Sequence, residues 1–135
     1  MNSQPRRNIS TNTPWETRFG YSRVVVAGGM VFVAGTVAAD HTGRIHAPGN
    51  AAAQARYIYE KIGRALEQAG ASLRDVVRVR VYLTNIADIE AVGQVHHEFF
   101  ADVRPVNTTL AVAALAAPEC LLEIEVDAVL PLAPL

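Results

Sequence analysis

Hydrophobic positions along this chain change their period several times, and each change marks an element. In "SRVVVAGGMVFVAGTVAAD" two β-branched runs, Arg23–Ala27 and Met30–Val37, flank Gly28-Gly29. A glycine pair supplies the positive φ angles of a two-residue turn, so the segment predicts a β-hairpin. "HTGRIHAPGN" carries Thr-Gly and Pro-Gly turn signals and predicts a loop. From Asn50, a candidate N-cap, the period becomes helical. Ile58, Ile62, Ala65, Leu66 and Ala69 share one side, Gln54, Lys61, Arg64 and Gln68 take the other, and Gly70 closes the helix. "DVVRVRVYLTNI" alternates, with Val77, Val79, Val81 and Leu83 on one face and Arg78, Arg80 and Tyr82 on the other. "IADIEAVGQVHHEFFADVR" returns to helical spacing through Ile89, Val92, His96 and Phe99 or Phe100. "NTTLAVAAL" and "LLEIEVDAVL" form the last two strands, with Leu122, Ile124, Val126 and Ala128 opposite Glu123, Glu125 and Asp127.

The predicted order is ββαβαββ, an α+β pattern with both helices on one face of a single sheet. The other face then shows apolar side chains mixed with arginines and acids, a surface that usually meets a partner; a closed ring of copies is the economical arrangement. Residues 1–17 read as a polar lead-in with no secretion signal, and 18–135 as a single domain.

Composition narrows the classes. A formal net charge of −1 offers no field for nucleic acid or an anionic membrane. No apolar run is long enough to span a bilayer. The single cysteine, Cys120, excludes an intramolecular disulfide and any multi-cysteine metal site, and suits a cytoplasmic location. No metal is expected: the adjacent His96 and His97 point about 100° apart on a helix and cannot chelate together. Cys120 has no basic cluster nearby in the sequence to activate it as a nucleophile.

The acid row admits a structural reading. Were the arginine strand and the acid strand neighbours, Arg78 and Arg80 would form cross-strand ion pairs with these carboxylates.

"GYSR", "VFVAGTVA", "LTNIAD", "RPVNTTLAVAAL" and "EIEVDAV", in this order and spacing, resemble the RidA (YjgF-type) family of enamine and imine deaminases from about Arg18 to Leu130. The resemblance implies a chorismate-mutase-like fold with a mixed sheet, a homotrimer whose sheets form a central barrel, and small-molecule clefts between subunits. It implies hydrolysis of imines or enamines to 2-keto acids and ammonia, without cofactor or metal. It places the water-positioning acid on Glu123 and a cleft-lining tyrosine on Tyr21. The family's substrate-anchoring arginine falls on Asn107, which carries no charge. Arg104, Arg80 and Arg23 are candidate substitutes.

Two readings follow. The first is a deaminase-type hydrolase of altered specificity, with Glu123 catalytic and Tyr21, Asn107 and Thr108 or Thr109 binding substrate. The second is a trimer that binds or sequesters a metabolite without turnover. Asn107 favours binding; Glu123 and Tyr21 favour catalysis.

Overall fold

The computed structural model describes residues 5–11 and 13–132. Its elements are β1 (Arg7–Ile9), α1 (Pro14–Phe19), β2 (Val24–Ala27), β3 (Met30–Thr36), α2 (Ala51–Ala69), β4 (Val76–Leu83), α3 (Ile89–Phe100), β5 (Val106–Ala111) and β6 (Leu122–Val129). The six strands form one sheet in the order β1-β2-β3-β6-β4-β5. Neighbours are antiparallel except β4 and β5, so the sheet is mixed, as expected. The ββαβαββ order holds. Within the lead-in, β1 adds an edge strand beside β2 and α1 follows it.

The local chemistry acts where the pattern placed it. Gly28 and Gly29 take φ of 58° and 77°, the turn between β2 and β3. The Asn50 side chain accepts the N–H of Ala53, and Gly70 ends α2 in the left-handed region. Alternate residues of β2, β3, β4 and β6 join Ile58, Ile62 and Leu66 of α2 and Val92, Val95 and Phe100 of α3 in one core. The opposite face of the sheet is uncovered in the single chain. Phe32, Val106, Leu110 and Val129 stand exposed there, among the acids and arginines.

Two expectations are corrected. Val77 is exposed because the β4–β6 register shifts between Val76 and Arg78; Val76 takes the core position instead. An extra residue in one strand reverses the alternation locally. Gln54 is fully buried rather than solvent-facing. Its Nε2 donates to the carbonyls of Ala47 (3.3 Å) and Glu119 (2.9 Å), and its Oε1 accepts the N–H of Leu121 at 2.9 Å. A buried amide is tolerated when both its ends are satisfied. This one pins the turn that feeds β6. Gln54→Leu strands the Glu119 carbonyl and the Leu121 N–H, and we expect it to cost about 2–4 kcal/mol. A lower denaturant midpoint at unchanged slope is the check.

Candidate active site

On β6 the alternation is strict. Leu122 and Ile124 are fully buried, which turns Glu123, Glu125 and Asp127 to the uncovered face. The register sets Tyr82 opposite Glu123, Arg80 opposite Glu125 and Arg78 opposite Asp127. Arg78 lies 3.7 Å from Asp127, and Arg80 lies 3.9 Å from Glu125 and 3.7 Å from Asp127. The Tyr82 hydroxyl donates to Glu125. The cross-strand pairs expected for Glu125 and Asp127 are therefore present.

Glu123 stands apart. It is half-buried and takes no hydrogen bond or ion pair among the described residues. Its carboxyl lies against Gly35 of β3, so closely that a Cβ there would meet Glu123 Cδ at 2.9 Å. Burial pushes its pKa up; the charge of Arg23 pulls it down and that of Glu125 adds to the rise. A carboxylate whose pKa is raised by burial and that has no partner is suited to taking a proton from water.

Arg23 shares this corner, immediately before β2. Its Nη2 donates to the Gly35 carbonyl at 2.7 Å, and its guanidinium carbon lies 5.9 Å from the centre of the exposed Tyr21 ring. The segment carrying both residues is fixed by Glu16 of α1, which is buried. The Glu16 carbonyl accepts the N–H groups of Gly20 and Tyr21, and its Oε1 accepts that of Arg23 at 3.3 Å. Its Oε2 accepts the hydroxyls of Thr13 (2.8 Å) and Thr11 (3.0 Å). Burial opposes the Glu16 charge, but the bonds from Thr13, Thr11 and Ser10 bring its pKa from 4.5 down to about 2. A depressed carboxylate pKa contributes stability that is complete above 4.5 and is lost as pH falls through about 2. The stability advantage of the wild type over Glu16→Gln should therefore shrink between pH 4.5 and 2, as parallel acid titrations of unfolding would show.

The other expected site residues lie elsewhere. β5 pairs Asn107 with Val79 and Thr109 with Val81, both core positions, so Asn107 and Thr109 share the helix-side face at the sheet edge. The Thr109 hydroxyl donates to Asn107 Oδ1 at 2.9 Å. Thr108 pairs with Arg80 and faces the other way, toward the side of Glu123. Two strand spacings of about 4.8 Å and opposite faces thus separate Asn107 from Glu123 in one chain. Sequence alone could not bring these two together or part them; the strand order does.

The remaining candidates have structural surroundings. His96 Nδ1 is 3.0 Å from the Tyr59 hydroxyl between α2 and α3, and Cys120 is buried, with burial raising its pKa. Lys61 of α2 donates to the carbonyls of Val37 and Ala39. Trp15 and Phe19 stay exposed and stack on each other. No cluster of three or more metal-ligating side chains occurs among the described residues, and no described helix is long and apolar enough to cross a membrane.

Residues 11–130 match the family described as Endoribonuclease L-PSP. The chain belongs to the L-PSP family. The RidA and YjgF proteins resembled by the sequence are of this family. A crystal structure of a YjgF/YER057c/UK114 family member from Mycobacterium tuberculosis superposes on the L-PSP chain with TM-score 0.83 and 42% identity, covering 93% of this chain and 99% of that one. An uncharacterized Streptomyces coelicolor protein is 35% identical over 128 residues, 95% of each chain. The 3-aminoacrylate deaminase RutC of Acinetobacter baylyi is 36% identical over 104 residues, 77% of this L-PSP chain and 82% of its own.

Proposed function

We propose that the protein hydrolyses the C=N bond of an imine, or of an enamine after tautomerisation, with Glu123 as the base. The observation that carries this is the unpaired, half-buried Glu123 carboxylate, held over Gly35 beside a cation with its pKa raised by burial. Glu123 takes a proton from water as the water oxygen bonds to the imine carbon. Glu123 passes that proton to the nitrogen, giving a carbinolamine; the hydroxyl proton then moves to the nitrogen as the C–N bond breaks, and ammonia leaves. The sum is imine plus water giving ketone plus ammonia, with no change of oxidation state and no need for a cofactor. Tyr21 lines the approach.

Asn107, Thr109 and Thr108 belong to the same site in this reading through a second copy. Exposed Phe32, Val106, Leu110 and Val129 support a ring of three chains closing on the uncovered face, and β5 is the edge strand, so its side chains on either face would stand at the seam with the next copy. Light scattering that found a monomer would end that part of the proposal. The word endoribonuclease finds little support in this chain, whose formal charge is −1 and whose open-face arginines Arg78 and Arg80 are paired with acids.

A second reading, binding without turnover, rests on Asn107, whose neutral amide already accepts a hydrogen bond from Thr109. Imino acids generated in situ by an amino-acid oxidase separate the two. Faster imine decay and keto-acid formation with added protein support hydrolysis; an unchanged decay rate leaves binding alone.

A further inference from the structure

Resting on the reading of a C=N hydrolase that takes carboxylate-bearing imines, we propose that Arg23, and not Asn107, is the residue that anchors the substrate carboxylate.

Arg78 and Arg80 share the face of Glu123, but their guanidinium groups sit 3.7 to 3.9 Å from Asp127 and Glu125. Arg104 lies just before the edge strand β5 in a left-handed backbone conformation, φ 55°. Asn107 is neutral and faces the helix side. Arg23 differs from all of these. It has no carboxylate within ion-pair distance among the described residues, and it lies on the Gly35 backbone against which Glu123 also packs.

Its donors are mostly uncommitted. A guanidinium offers five N–H groups in a planar fork. One is used on the Gly35 carbonyl, and Nε is sealed from solvent with no hydrogen-bond partner. A donor sealed from solvent is out of a solute's reach, so the groups left for a ligand are Nη1, which takes no hydrogen bond among the described residues and is not sealed, and the second N–H of Nη2. A planar carboxylate is the group that matches this fork with two parallel bonds. Tyr21, over the guanidinium, closes one side of it. With the carboxylate on Arg23, the adjacent C=N carbon is directed toward Glu123, where the attacking water is held. The charge that Asn107 lacks is thus supplied from the opposite end of the sheet.

Binding of 2-oxobutanoate, the keto-acid product type, and of its methyl ester is measured by calorimetry for wild type, Arg23→Gln and Arg23→Lys, alongside the in situ imine assay. The wild type should prefer the acid over the ester at least about tenfold. Arg23→Gln should lose that preference, and Arg23→Lys should retain part of it, since an ammonium keeps the charge without the fork. Equal binding of acid and ester by the wild type, which requires no variant to fold, overturns the proposal. Imine hydrolysis by the wild type with undiminished keto-acid affinity in a folded Arg23→Gln overturns Arg23 and leaves hydrolysis standing. Loss of keto-acid binding in Arg23→Gln with no turnover by any form leaves the anchor standing and removes the hydrolase reading. No acid binding and no turnover remove both.

Discussion

Glu123→Gln should lower the rate of imine hydrolysis by about 10²–10⁴-fold, the range lost when a positioned general base is removed. Glutamine keeps the shape over Gly35 and cannot accept the proton that water must give up. The same change should raise stability at neutral pH. The Glu123 pKa is raised in the folded protein, so the folded state binds that proton more tightly than the unfolded chain does. The ionised carboxyl therefore costs stability as pH rises from the ordinary 4.5 through the raised folded value, and the cost is complete above it. Glutamine carries no such cost. The advantage of the variant should fade as pH falls below 4.5, where the wild-type carboxyl is protonated folded or unfolded. The acid limb of the wild-type rate profile should likewise lie above the usual glutamate value. A variant that hydrolyses at the wild-type rate would remove Glu123 as the base. Lost activity with no gain in stability at neutral pH would contradict the burial argument instead.

Gly35→Ala should cost about 10²-fold in turnover while leaving the fold in place. Nothing in the backbone forbids alanine, because Gly35 is absent from the positive-φ residues. The obstacle is the carboxylate itself. The added methyl would sit 2.9 Å from Glu123 Cδ, 3.0 Å from Oε2 and 3.2 Å from Cγ, closer than carbon atoms pack. Glu123 is flexible and will swing aside, which spares stability and misplaces the base. A displacement of about 1 Å is enough for a loss of that order. Melting temperature and steady-state rate, measured together, test this. A variant with normal turnover would show that the contact between Glu123 and Gly35 has no part in catalysis. The pair of results also separates two roles for this corner, since Gly35→Ala moves the carboxylate without changing its chemistry, whereas Glu123→Gln does the reverse.

Much of this protein was legible in its residues because its elements obey local rules. The Gly28-Gly29 turn, the Asn50 cap, the Gly70 stop and the alternation of β6 each depend on a few neighbouring residues, and each stands where the pattern put it. The expected pairing of Arg78 and Arg80 with the acids also holds, because opposed charges on adjacent strands meet once the register is set. The misses have a common cause. Gln54 reads as polar and outward, yet it satisfies carbonyls and an N–H from segments up to 67 residues away. Val77 follows the alternation on paper, but a shift of register against β6 moves it out. Neither outcome can be read from a residue and its neighbours.

The family, the α+β architecture and the turning of Glu123, Glu125 and Asp127 away from the core were written in the order of residues, since periodicity, caps and turns are local and motifs keep their spacing along a chain. The placement of Arg23 beside Glu123, the glycine that holds both, and the separation of Asn107 from them were decided by the tertiary structure. Strand order and register determine which side chains share a face, and those depend on hydrogen bonds between segments far apart in the chain.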